Sequence, residues 1–66
     1  MIFSQILSEL LQEKGLMQKD LSVALNVSKN QVHYWIKAKA EPDLETLTRI
    51  ALYFGVSTDY LLGLEI

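Results

Sequence analysis

Apolar side chains recur at spacings of three and four over residues 2–14, at Ile2, Phe3, Ile6, Leu7, Leu10 and Leu11, and Gly15 follows them. That is one wide stripe on a helix, closed by the residue that most easily takes the left-handed backbone of a helix C-terminus. A second helical piece spans about 18–25, with Leu21 and Leu25 on one face, and Asn26 stands where a left-handed turn residue is wanted. A third opens at Ser28, with Gln31 three residues on, which is the spacing of a capping box; Val32, Trp35 and Ile36 form its apolar stripe. Pro42 breaks the pattern over 38–42, because it cannot donate an amide and restricts the residue before it. Asp43 then caps a fourth helix with Leu44, Leu47, Ile50, Ala51 and Phe54 inward, closed by Gly55. Ser57 caps a last short helix through Tyr60, Leu61 and Leu62, closed by Gly63. No stretch alternates with period two for long. The pattern predicts an all-α domain of five short helices, one domain over residues 1–66.

Size and composition narrow the classes of function. Sixty-six residues make one small domain, which buries only about 60% of the surface its unfolded chain exposes. With no cysteine and one histidine, neither disulfides nor a zinc site is available to staple it. Half the residues are apolar and 21% are charged, a globular balance. No apolar run reaches the roughly 18 residues of a membrane span, and the N-terminus lacks the basic start of a signal peptide. A cytoplasmic domain without metal or cofactor is expected. Catalysis is not: His33, the sole histidine, sits in a stretch without carboxylates, the glycines are isolated, and the acidic residues are scattered.

The net charge of −2 argues against a nucleic-acid partner until the charges are located. Residues 29–40 hold Lys29, Lys37 and Lys39 and no acid, while the rest of the chain holds three basic and eight acidic residues. The third helix is therefore a basic island on an acidic chain. At about 100° per residue, Val32, Trp35 and Ile36 gather on one side of it and Asn30, Tyr34 and Lys37 on the other, with His33 on the flank. Lys29 falls nearer the buried side, but in the first turn a long side chain can project past the helix end. Asn pairs bidentately with adenine, and Lys reaches guanine O6 and N7, so this face suits a major groove.

Residues 18–37 also carry the spacing of a helix-turn-helix: Leu21, the small Ser22, Leu25, the turn residue Asn26, Val27 as a core plug, then Val32 and Trp35. The chain resembles the lambda-type phage repressor, Cro and xenobiotic-response-element (Xre) family of helix-turn-helix proteins. The likeness runs from Gly15-Leu16-Met17-Gln18-Lys19-Asp20-Leu21 through Leu25-Asn26-Val27-Ser28 and Val32-His33-Tyr34-Trp35. It continues at Pro42, Leu44, Leu47 and Ile50-Ala51, and through the segment from Phe54 to Gly63. The resemblance implies a five-helix DNA-binding domain, usually dimeric, that regulates or represses transcription in a bacterium or phage, at the nucleoid. Three positions depart from the family pattern. Met17 stands where Thr or Ser is usual and Ala38 where Gly is common. Leu11 and Ile36 replace an Arg and a Glu that pair in many members. Well-packed hydrophobes in place of a buried pair are often neutral or stabilising.

Candidate DNA contacts are Gln18, Lys19, Ser28, Lys29, Asn30, Gln31, His33, Tyr34, Lys37 and Lys39. Asn30 and Lys29 lead the recognition helix and are expected to read bases, with Gln31 and Tyr34 as additions. Gln18, Lys37 and Lys39 are expected to hold phosphates. Gln18 begins its helix, where an anion is welcome, and the family places such a contact there. Lys19 fits a phosphate contact or a solvated face equally, and His33 fits a DNA contact or a plain exposed histidine. Trp35 is expected in the core rather than as a stacking platform. Tyr60, Leu61, Leu62 and Leu64 form an apolar stripe expected to join two chains on a palindromic double-stranded operator. The competing class is a protein-interaction module, or an antitoxin-type domain with a protein partner, that keeps the fold with weak or no operator binding.

Overall fold

The computed structural model describes residues 2–65. Five helices follow one another: α1 (Ile2–Lys14), α2 (Gln18–Leu25), α3 (Lys29–Ile36), α4 (Leu44–Phe54) and α5 (Thr58–Leu61). α2 and α3 pack on each other most extensively; α1 lies against α3 and α5, and α4 against α2 and α5. One cluster fills the centre: Phe3, Leu7, Leu10 and Leu11 from α1, Leu21 and Leu25 from α2, Val32 and Trp35 from α3, and Leu47, Ile50, Ala51 and Phe54 from α4. Leu61 closes it from α5, and Ile36 and Val27 pack on its rim.

Helix ends are where the sequence signals operate. Ser28 and Gln31 form the expected capping box: the Gln31 amide donates to Ser28 Oγ at 3.1 Å, and the Ser28 amide donates to Gln31 Oε1 at 3.0 Å. Asn26 takes the left-handed conformation with φ +57°, and Val27 N donates back to the Ser22 carbonyl at 3.0 Å. Ser22 is buried, as the close crossing of α2 and α3 requires, and its hydroxyl donates to the Lys19 carbonyl at 2.7 Å. At the start of α2, Met17 supplies no side-chain cap, and the Met17 amide donates instead to Asp20 Oδ2 at 2.8 Å.

Asp43 accepts from the Thr46 amide at 2.8 Å, and hydrogen bonding from Thr46, aided by the charge of Arg49, holds its carboxyl below the ordinary carboxylate value. A lowered folded value means the cap contributes at pH above the unfolded carboxylate range and is lost as pH falls through the folded value. Asp43→Asn, which keeps an acceptor but no titrating group, is therefore expected to be less stable than the unmodified chain at neutral pH and to converge with it as pH falls through the folded value of Asp43, measured by urea unfolding at several pH values.

Ala38 follows the C-cap of α3 at φ +59°, a conformation that suits glycine, and Lys39 N closes the turn on the Tyr34 carbonyl at 2.8 Å. An L side chain there clashes with its own carbonyl, so Ala38→Gly is expected to stabilise the domain by about 1 kcal/mol. A raised urea midpoint with an unchanged slope would confirm it.

Two expectations fail here. Leu44 was expected inward but is 82% exposed; as the first residue of α4 it falls on the helix rim beside the Asp43 cap, and Leu47 takes the inward place. Leu61 was expected at a dimer surface but is fully buried. In so small a core α5 has only this leucine to seal the end of α1, so Leu61 is spent within its own chain. Leu62 and Leu64 remain exposed and Tyr60 is half-buried.

A clamp absent from the sequence reading joins α4 to α2. Arg49 Nη2 donates to the Leu25 carbonyl at 2.6 Å. The guanidinium thus sits at the C-terminal, negative end of the α2 dipole and satisfies a carbonyl with no helical partner.

Candidate nucleic-acid interface

α3 is laid across the others by burying Val32 and Trp35, and this sets which of its side chains point out. Trp35 is 3% exposed and is a core residue, as its place in the motif predicts. The opposite face carries Asn30, Tyr34 and Lys37 at helical spacing, with His33 beside them; all are exposed. The His33 and Tyr34 rings lie 6.0 Å apart at 53°, so the face has an aromatic centre between an amide and an ammonium group. Lys29 and Gln31 flank it in the first turn, and Lys39 follows the turn at Ala38; all three are exposed. Two recesses lie elsewhere, one lined by Phe3, Glu41, Pro42, Leu44, Leu47 and Leu62 and the other by Lys14, Leu16, Tyr53 and Phe54. Among the described residues no three His, Asp or Glu side chains gather as metal ligands, and no helix is long and apolar enough to cross a membrane.

The remaining predicted contacts lie at the two helix starts. Ser28 is the N-cap of α3, and its hydroxyl both accepts from the Gln31 amide and donates to Gln31 Oε1 at 3.3 Å. Its proton is therefore already engaged, which leaves it a lone pair but no donor for a phosphate. Gln18 opens α2 half-buried and Lys19 follows exposed. Asp20 lies in the first turn of α2, where its carboxylate would sit beside any phosphate held there. Lys19 is then the charge that offsets it. The Asp20 signal was legible, since an acid three residues after a cap position is the reciprocal half of a capping box.

Comparison with known proteins agrees with this geometry. HTH-type transcriptional regulator ImmR of Bacillus subtilis (strain 168) is 37% identical over 57 residues, 86% of this chain and 45% of that protein. The SPbeta prophage-derived uncharacterized HTH-type transcriptional regulator YonR of the same organism is 36% identical over 61 residues, 92% of this chain and 56% of that one. HTH-type transcriptional activator BcrR of Enterococcus faecalis is 35% identical over 65 residues, 98% of this chain and 32% of that one. A crystal structure of a transcriptional regulator from Listeria innocua superposes with a TM-score of 0.88 at 39% identity, over 92% of this chain and 57% of that chain. The chain thus spans from about a third to a little over half the length of these proteins. The helix-turn-helix family pattern matches residues 7–61, from the first turns of α1 to the end of α5. With α2 and α3 crossing over a buried Ser22 and the outward face of α3 left free, the chain belongs to the helix-turn-helix family.

Proposed function

We propose that this domain is the sequence-specific, double-stranded-DNA-binding part of a transcription regulator acting in the cytoplasm at the nucleoid, with α3 in the major groove. One observation carries the reading: the only stretch of concentrated positive charge coincides with the helix whose outward face is Asn30, Tyr34 and Lys37, on a chain that is otherwise acidic. Lys29 and Asn30 read base edges; Lys37, Lys39 and Lys19 hold phosphates, with Gln18 at the positive end of α2 and His33 and Tyr34 filling between. The domain acts as a homodimer on a palindromic operator, with the two copies of α3 about 34 Å apart, one turn of the duplex. The exposed Leu62 and Leu64, with Tyr60, supply the apolar contact between chains. A dimer covering a full turn or more of a promoter excludes other proteins from it, which favours repression.

A mobility shift at several salt concentrations tests the reading, because binding through phosphates must weaken steeply with salt. Asn30→Ala is expected to cost about 1–3 kcal/mol on a selected duplex and far less on random duplex. Lys39→Ala is expected to weaken both alike and to flatten the salt slope by about one unit. An unmodified chain that shifts no duplex at low salt would instead favour a protein partner for this fold.

A further inference from the structure

We propose that Gln31 reads DNA as a hydrogen-bond donor only, and so selects guanine against cytosine at one base pair, while its neighbour Asn30 keeps the full donor and acceptor code. The inference rests on α3 entering the major groove, as proposed above. A glutamine on a recognition helix normally offers both an acceptor and donors, and pairs bidentately with adenine. Here the capping box has taken the acceptor. Gln31 Oε1 receives the Ser28 backbone amide at 3.0 Å and the Ser28 hydroxyl at 3.3 Å. The backbone N–H can only donate, so it fixes which way round the side-chain amide lies: Oε1 faces the helix start, and the Nε2 amino group is left with both protons. The side chain is exposed in the first turn of α3 and forms no other hydrogen bond among the described residues. Two N–H donors meet two acceptors on the guanine edge, O6 and N7, whereas cytosine presents only the N4 amino group there. Asn30, one residue earlier, makes no side-chain hydrogen bond among the described residues and is free to offer its carbonyl and amino group together to adenine. Two adjacent amides of the same chemistry thereby read different bases, because one of them also holds the helix start.

Selection of bound duplexes from a random library, carried out with the unmodified chain, Gln31→Ala and Gln31→Glu, tests this. The unmodified chain is expected to prefer guanine over cytosine by about five- to tenfold at one position. Gln31→Ala is expected to bring that ratio near one. Gln31→Glu keeps an oxygen for the Ser28 amide and suits the positive helix end, so it remains folded by thermal unfolding. It offers acceptors only, and the preference is expected to reverse to cytosine at the same position. Preference is a ratio between bases, so the added negative charge, which weakens all duplexes, does not enter it. The proposal is overturned if the base lost on Gln31→Ala is adenine, or if neither substitution alters any position of a site the unmodified chain selects. Enrichment of no sequence by the unmodified chain overturns the DNA reading itself, a different failure.

Discussion

Trp35→Ala is expected to leave the domain largely unfolded at room temperature, and Trp35→Phe to leave it folded and able to bind DNA. Removing a large buried aromatic side chain costs about 3–5 kcal/mol in lost transfer energy and cavity. A domain of this length has only about 3–10 kcal/mol in total, at roughly 0.05–0.15 kcal/mol per residue. Trp35 is 3% exposed and joins the cluster formed by α1, α2 and α4, so its loss opens the centre of the molecule. Circular dichroism melts of the two variants check the expectation, and they also separate two roles that an aromatic residue on a recognition helix can have. A stacking platform for bases would give a folded Trp35→Ala with weakened DNA binding. A core residue gives loss of helicity first, with loss of binding as its consequence.

That separation shows what the sequence could express. The side of α3 that faces inward follows from Val32 and Trp35 three apart, because a helix of fixed pitch allows only one arrangement of those side chains on a common core. Helix starts and stops were legible for the same local reason: Ser28, Asp43 and Ser57 each accept from the amide three residues on, and Asn26 and Gly55 each turn with positive φ. The errors came where a local rule meets a position decided by distant parts of the chain. Leu44 fits the apolar spacing of α4, but the first turn of that helix overhangs the core, and this depends on where α1 and the Pro42 turn leave it. Leu61 belongs to an apolar run in which Tyr60 is half-buried and Leu62 exposed, and which member turns inward depends on how α5 packs against α1 and α4. The Arg49 clamp on the Leu25 carbonyl joins residues 24 apart in sequence, with no periodic signal to announce it. At the candidate interface the outward residues were legible, but their hydrogen-bonding state was not. The capping box at Ser28 and Gln31 was evident from spacing, yet spacing does not show that the Ser28 hydroxyl turns onto the same Oε1 as the Ser28 amide and engages the rest of that acceptor.

Leu11→Arg is expected to be as damaging as the loss of Trp35, and its partial rescue by Ile36→Glu is the sharper test of how α1 meets α3. Leu11 is 6% exposed within the central cluster, and Ile36 is half-buried on the rim of the same cluster, on the helix that α1 packs against. An unpaired charge at the first site is expected to cost about 3–5 kcal/mol. Glutamate alone at the second is expected to cost less, about 1–2 kcal/mol, because at the rim its carboxylate can reach water. The sequence places apolar residues where many relatives of the resembled family carry an Arg and a Glu that pair, which requires the two positions to be neighbours. If they are, the double variant regains about 1–3 kcal/mol relative to the sum of the single changes, since each new charge supplies the partner the other lacks. It should still fall short of the unmodified chain, because a paired ion in a site built for leucine must be desolvated while the leucine contacts are gone. Urea unfolding of all four chains gives the coupling directly. A coupling near zero would mean that the side chains diverge and that each position was made apolar for its own neighbours. A large favourable one would mean that the domain kept the geometry of the ion pair after exchanging its chemistry.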